Sequence, residues 1–215
     1  MLDNKVLSKV FMWMCVGLLV TFGVGYFVST SDTMILNIFG TYTYLILILA
    51  ELAVVVFLSS RITRMSGTTA KISFLLYSFL TGLTLSSVFV VYNLNSIIYV
   101  FLIAAIIFAI FAFIGYKTSL DLSKIGTYLF MALLAVVLCS ILNIFLKNDT
   151  FSFVITIISL IVFIAYVAYD VKKVIELSET DFPEENLAIY GALQLYLDFI
   201  NIFLDLLRLI GNAKD

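Results

Sequence analysis

Apolar residues form long uninterrupted runs along the chain, and polar residues gather mainly between these runs. Each run is close to the ~20 residues that a helix needs to cross a hydrocarbon core of about 30 Å. The pattern predicts seven spanning helices, at about 8–29, 35–59, 71–92, 96–116, 126–146, 152–172 and 187–211. Because the connections are short and the composition does not shift, we expect one transmembrane domain over residues 1–215.

The seventh span carries a regular polar stripe. A mid-span carboxylate is tolerated in lipid only where it faces protein or water. We therefore expect this span to be the centre of the bundle, with its stripe turned inward. Steps of three and four place the stripe on one helix face: Gly191, Gln194, Asp198, Asn201, Asp205, Arg208 and Asn212.

Composition narrows the class of protein further. Hydrophobic residues make up 63% of the chain and charged residues 12%, as in an integral membrane protein surrounded by a lipid bilayer. The net charge is −2 without a basic run, which argues against a nucleic-acid partner. The chain has no histidine, so proton chemistry would depend on carboxylates. We expect no cofactor and no enzymatic activity.

The basic residues predict the orientation, because cytoplasmic loops carry an excess of Lys and Arg. Three of the twelve, Lys147, Arg208 and Lys214, fall on one side of the predicted topology. The N-terminus is then cytoplasmic, the C-terminus lies outside, and the acidic loop at 174–186 is cytoplasmic. The other nine fall on the opposite side: Lys5, Lys9, Arg61, Arg64, Lys71, Lys117, Lys124, Lys172 and Lys173.

Few ionisable residues lie inside the spans, and each costs about 2.5–3.5 kcal/mol at mid-membrane on insertion scales. Asp198 and Glu51 are the deepest, at roughly 12–16 Å from the cytoplasmic ends of their helices. Asp205 and Arg208 lie toward the outside and stand three residues apart, which favours a local ion pair. Glu51 is an alternative partner for Arg208.

Asp170 ends the predicted sixth span, and Asp198 lies in the seventh. Antiparallel neighbouring helices would bring the two carboxyls to the same side of the bundle. Two carboxyls in contact share a proton or bind a cation, since both cannot be charged cheaply. Arg61 could pair with ionised Asp170 and act as a basic latch. The alternatives are a solvated helix end for Asp170 and a structural hydrogen bond for Asp198.

Four stretches resemble the transmembrane Bax inhibitor motif family: LQLYLDFINIFLDLLRL, AYVAYDV, LLYSFLTGLTLSSVF and AELAVVVFLSSRITRMS. The resemblance implies an all-α bundle of seven transmembrane helices, with a central C-terminal helix wrapped by two three-helix layers. It also implies a pH-sensitive calcium leak of the bacterial type. Asp170 and Asp198 match its paired aspartates, Arg61 its latch, and Glu51 with Arg208 a supporting pair.

The chain departs from that family pattern at two places. Asp205 adds a carboxylate where a neutral residue is expected, and Arg64 competes with Arg61 for the latch.

These observations favour a pH-sensitive calcium channel, gated by the aspartate pair, in a bacterial plasma membrane. Calcium suits a site of carboxylate oxygens, so Asp170 and Asp198 are candidate calcium ligands, and calcium and protons are the expected partners. One alternative is an interaction protein that modulates membrane proteases or cell-death and stress machinery through its acidic loop. An intramembrane aspartyl protease fits less well, because such enzymes need GxGD where this chain has Leu195-Tyr196-Leu197-Asp198.

Overall fold

The computed structural model describes residues 2–40, 42–118 and 123–214. These ranges contain no strand and form eight α-helices. They are α1 (Leu2–Ser29), α2 (Asp32–Phe39), α3 (Thr43–Arg61), α4 (Gly67–Val91), α5 (Leu94–Lys117), α6 (Ser123–Leu146), α7 (Asp149–Ser178) and α8 (Glu184–Ile210). Seven of them, all except α2, are long and apolar enough to cross a membrane. The predicted all-α fold with seven spanning helices is confirmed.

The prediction of a continuous second span at 35–59 is wrong. Helix α2 ends at Phe39, where the N–H of Gly40 donates to the carbonyl of Leu36 at 2.8 Å, and α3 begins at Thr43. Thr41, between them, lies outside the described residues. Glycine is a poor helix former, so an apolar run that contains one can still break there. The spanning helix is α3 alone, and α2 is too short to cross.

The sixth span is longer than predicted. Helix α7 continues to Ser178, so Asp170 lies eight residues before its end rather than at it. Buried Val174 and the ion pair of Lys172 with Glu176 at 3.9 Å support the extra turns. The acidic loop predicted at 174–186 is correspondingly reduced to residues 179–183, because α8 already begins at Glu184. Asp170 is therefore not a solvated helix end.

Helix α8 is the buried element of the fold. In its most apolar 18-residue window, 72% of the residues are buried, against 6–39% in the other six spanning helices. Burial is not confined to the polar stripe, since Leu193, Leu195 and Phe203 on other faces are also buried. The high burial of the last helix agrees with its predicted role as the centre of the bundle. The stripe does not face inward along its whole length, since Arg208 and Asn212 at its end are exposed.

The contacts divide the chain into two compact units. The first unit contains α1 to α4 and the range Leu177–Tyr196, which includes the last residues of α7, the α7–α8 connection and the first half of α8. Helices α1 and α4 pack closely in it, since a Cβ on Gly82 would lie 2.8 Å from both the carbonyl oxygen of Thr21 and the Cβ of Val24. Small residues allow such close approach of helices in a membrane.

The start of α8 is held within the first unit by charged side chains. Lys9 Nζ lies 2.7 Å from Glu184 Oε1, and Lys71 Nζ lies 3.0 Å from Glu185 Oε2. Next to them, buried Asn186 donates from Nδ2 to carbonyl oxygens in the connection between α3 and α4. These contacts tie α8 to three elements of the unit, α1, α4 and the α3–α4 connection.

The second unit contains α5, α6, most of α7 and the second half of α8, as the ranges Asn95–Glu176 and Leu197–Asn212. Its core includes a cluster of aromatic rings from α5 and α8. The ring of Phe199 lies 5.1 Å from that of Phe101 and 5.7 Å from that of Phe108, both edge to face. Edge-to-face packing of this kind adds about 0.5–1.5 kcal/mol beyond burial.

Candidate functional site

The second unit brings Asp170 and Asp198 together. Asp170 on α7 is 2% exposed and Asp198 on α8 is 4% exposed, and the two carboxyls lie within hydrogen-bonding reach of each other. Oδ2 of Asp198 has no hydrogen-bond partner among the described residues. A hydrogen bond between two carboxyls requires a proton on one of them. The arrangement therefore suits one proton shared by two acids.

Close helix packing positions Asp170. A Cβ on Gly115 of α5 would overlap the backbone of Ala168, and a Cβ on Gly126 of α6 would overlap the ring of Tyr169. Two neighbouring helices therefore approach α7 in the two residues that precede Asp170. Since packed backbones cannot shift freely, the position of the Asp170 side chain is set by α5 and α6 as well as by its own helix.

Two further side chains of α7 face the pair. Lys173, one turn after Asp170, acts on that carboxyl electrostatically, and its ammonium lies 5.5 Å from the ring centroid of Tyr169. Tyr166, one turn before Asp170, lies close enough to Asp170 and Asp198 to interact electrostatically with both carboxyls. Lys173 is not among the site residues predicted from the sequence. Its spacing of three from Asp170 was the available signal, because residues three apart are neighbours on a helix.

Arg61 is the last residue of α3 and is exposed, as is Arg64 in the following turn. Both belong to the first unit, whereas Asp170 belongs to the second. The latch between Arg61 and Asp170 stays a prediction.

The predicted supporting charges have local partners. In the first unit, Glu51 accepts a hydrogen bond from Thr84 Oγ1 at 2.7 Å. In the second unit, Arg208 Nη1 lies 3.4 Å from Asp205 Oδ1, which confirms the local pair expected from their spacing of three. Pairing of Glu51 with Arg208 stays a prediction.

The remaining stripe residues differ in their surroundings. Gln194 and Asn201 are half-buried, and Asn201 Nδ2 donates back to the carbonyl of Leu197 at 2.8 Å within α8. Asp205 is 3% exposed and has the hydroxyl of Ser159 on α7 as a hydrogen-bond neighbour. Ser159 had no distinguishing signal in the sequence, since serine is common within membrane helices.

The described part of the chain contains no group of three or more His, Cys, Asp or Glu side chains that could hold a metal ion. The Asp170–Asp198 pair offers carboxylate oxygens, whereas calcium takes six to eight oxygen ligands. Water and backbone carbonyls would have to supply the others. The pair thus suits a cation that passes and keeps part of its water better than a resident metal, and calcium ligation by these residues stays a prediction.

Known proteins resemble the chain over nearly its whole length. The family model described as inhibitor of apoptosis-promoting Bax1 matches residues 3–215. The inner membrane protein YbhL of Escherichia coli K12 is 42% identical over 214 residues, covering 97% of this chain and 92% of that relative. An uncharacterized protein of Borreliella burgdorferi is 37% identical over 220 residues, covering 100% and 95% of the two chains. A Rickettsia prowazekii protein, RP147, is 34% identical over 216 residues, covering 99% and 91%. The chain is thus a multi-pass membrane protein that belongs to the Bax inhibitor family.

Proposed function

We propose that this membrane protein is a pH-sensitive leak channel for cations, with calcium the favoured ion and the Asp170–Asp198 pair as its gate. The observation that carries the proposal is the contact of two carboxyls at 2% and 4% exposure on adjacent transmembrane helices. Such groups are expensive to bury, so a bundle that keeps two of them together is expected to use them.

The charge state of the pair determines what it can do. Two carboxylates about 4 Å apart repel each other by about 4 kcal/mol at an effective dielectric constant of about 20. With one shared proton, the repulsion is replaced by a charge-assisted hydrogen bond, which holds α7 and α8 together at this point. Without that proton, the pair carries two negative charges that repel one another and attract a cation. Proton uptake and release thus switch the pair between two arrangements.

Calcium is favoured by the chemistry of the available ligands. Hard divalent cations prefer carboxylate, carbonyl and water oxygens, and the chain has no histidine that would select a transition metal. We treat calcium as the permeating ion and not as a bound cofactor.

The relatives support a cellular membrane for this chain, and the distribution of basic residues supports its orientation in that membrane. Since the Escherichia coli relative carries the name inner membrane protein, we place this chain in a bacterial plasma membrane. The excess of Lys and Arg on one side of the predicted topology supports a cytoplasmic N-terminus and, after seven crossings, a C-terminus outside.

The test is calcium flux into proteoliposomes that enclose a calcium-sensitive dye, measured between about pH 6 and pH 8. Wild-type flux should change with pH, and Asp170→Asn and Asp198→Asn should each lose that dependence, because an amide neither gains nor releases a proton. Asp149→Asn is the matched control, since Asp149 lies on α7 but is exposed. That variant should keep the wild-type pH profile.

Two results would contradict the proposal. If both amide variants fold and keep the wild-type pH profile, the pair is not the gate. If no variant conducts calcium at any pH although size-exclusion chromatography shows folded protein, the chain is not a calcium leak. The interaction hypothesis would then take precedence.

A further inference from the structure

A carboxyl lies near the middle of α3, in the first unit. Glu51 follows the first residue of α3, Thr43, by eight positions and precedes the last, Arg61, by ten, which places it roughly 12 Å and 15 Å from the two ends of the helix. Its side chain is half-buried, and the large apolar side chains of Ile48 and Leu52 beside it are exposed. Since α3 is a spanning helix with only 11% of its most apolar window buried, the surface around Glu51 is one that lipid covers.

The polar contacts of Glu51 are few. Thr84 Oγ1 on α4 lies 2.7 Å from Glu51 Oε1 and 3.0 Å from the carbonyl oxygen of Thr81, so one hydroxyl proton serves two acceptors. Among the described residues of the first unit, no Lys or Arg forms an ion pair with Glu51. An ionised carboxyl offers about four lone-pair sites to donors. As a carboxylate, Glu51 would therefore be left largely unsatisfied.

The titratable groups that act on Glu51 electrostatically are two phenols, Tyr77 on α4 and Tyr196 on α8. The ordinary pKa of a phenol is about 10, so both groups are neutral at pH 7 and neither balances a negative charge. The Thr84 hydroxyl is neutral as well. A charge on Glu51 would thus be uncompensated within the first unit, and a bilayer makes such a charge expensive.

We propose that Glu51 is a proton-binding site, separate from the Asp170–Asp198 pair, and that it carries its proton at pH 7. The proton then belongs on Oε2, while Oε1 keeps the hydrogen bond from Thr84 as the carbonyl oxygen of the neutral acid. As a neutral acid, Glu51 needs no countercharge, and its open side can lie against lipid. This role requires proton binding only and does not rest on the proposed leak.

Dicyclohexylcarbodiimide tests the protonation of Glu51, because this lipid-soluble reagent reacts with protonated carboxyls inside a membrane. The acid proton passes to a carbodiimide nitrogen while the carboxyl oxygen bonds to the central carbon. Migration of the acyl group from oxygen to nitrogen then leaves a stable N-acylurea that contains all atoms of both reactants. Peptide mapping of the full-length protein in liposomes by mass spectrometry should find this adduct on Glu51 at pH 7 and not in Glu51→Gln. Glu185 is the matched control glutamate, since it is exposed and lies 3.0 Å from Lys71, and it should stay unmodified.

Two variants distinguish a neutral Glu51 from a charged one. Thr84→Val removes a donor that favours the charged form over the acid, so the adduct should persist to higher pH than in the wild type. A damaged protein that admits water to Glu51 would show the opposite shift. Arg208→Gln should leave the adduct unchanged. If the wild type lacks the adduct at pH 7 and Arg208→Gln gains it, Glu51 is charged and paired with Arg208, and the proposal is overturned.

Infrared difference spectra of the wild type against Glu51→Gln at pH 7 need no reagent, and they decide the case in which the carbodiimide does not reach Glu51. The wild type should show the carbonyl band of a carboxylic acid that the variant lacks, whereas carboxylate bands in its place would refute a proton on Glu51. Asp170→Asn and Asp198→Asn should keep both the adduct and the band. Failure of the flux proposal is therefore measured independently of failure here.

Discussion

A buried hydrogen-bond chain fixes the first half of α8 in the first unit. Thr21 and Tyr196 are both fully buried, with Thr21 Oγ1 2.6 Å from the phenol oxygen and 2.9 Å from the carbonyl oxygen of Ser78. A threonine hydroxyl has one proton, and here the carbonyl accepts it. The phenol must therefore donate to Thr21. This donor direction predicts that removing the Tyr196 hydroxyl and removing the Thr21 hydroxyl destabilise the protein by different amounts.

The expected loss of unfolding free energy depends on which polar group each variant leaves buried without a hydrogen-bond partner. Tyr196→Phe removes the donor and should reduce the free energy of unfolding by about 0.6 kcal/mol, and by no more than about 1.7 kcal/mol, as measured for hydrogen bonds between membrane helices. Thr21→Val leaves a buried phenol without its acceptor and should cost about 1–3 kcal/mol. Thr81 is also within hydrogen-bonding reach of Tyr196, so the phenol can turn toward it. Because Thr81 is an alternative partner for the phenol, we expect the cost of Thr21→Val to lie in the lower part of the range of about 1–3 kcal/mol.

The double variant Thr21→Val/Tyr196→Phe removes donor and acceptor together. Because no buried phenol then lacks an acceptor, it should be no less stable than Thr21→Val alone, whereas independent effects would add.

Unfolding by SDS in mixed micelles measures these differences, with the fluorescence of Trp13 as the reporter. Trp13 is the single tryptophan of the chain and lies on α1, in the same unit as both partners. If Tyr196→Phe destabilises the protein more than Thr21→Val, or if the two costs simply add in the double variant, the donor direction assigned here is wrong.

Two further predictions concern packing and orientation. Gly115→Ala should destabilise the protein by about 1–3 kcal/mol, because a Cβ there would overlap the backbone of Ala168. Gly23→Ala, with open space around its Cβ position, should be neutral or stabilising by up to about 1 kcal/mol. The same SDS titration compares the two variants, and equal effects would refute the close α5–α7 contact. An alkaline phosphatase fused after the last residue should be active and a green fluorescent protein fusion dark if the C-terminus lies outside the cytoplasm, and the reverse pattern would invert the proposed orientation.

Hydropathy determined the class of the protein, because crossing a membrane constrains every helix in the same way. The number of spanning helices, and the absence of strands from the residues that the structure describes, followed from runs of about 20 apolar residues. The spacing of Asp205 and Arg208 was enough to predict their ion pair, since residues three apart on a helix are neighbours. The family resemblance, drawn from residues in four stretches, was confirmed by the match over 3–215.

The errors arose where a single residue or a packing contact decides the outcome. Hydropathy averaged over a window does not detect the helix break at Gly40, where the second apolar run divides into α2 and α3. The end of α7 was placed too early, because its last turns are more polar, and buried Val174 within them became evident only from packing. The acidic loop was consequently predicted to be longer than residues 179–183.

Hydropathy and the positions of charges along the chain were thus enough to predict a helical membrane bundle and to identify the acids inside its spans as the residues that need partners. The pairing of Asp198 with Asp170 had been expected from the order of the helices, whereas the neighbour of Asp205, Ser159, became evident only from the packing of α7 against α8. The physical reason is that the cost of burying a charge depends on its own position along a helix, which the sequence shows. Its partner lies on another helix, and the packing of two helices depends on side chains that are distant in the chain.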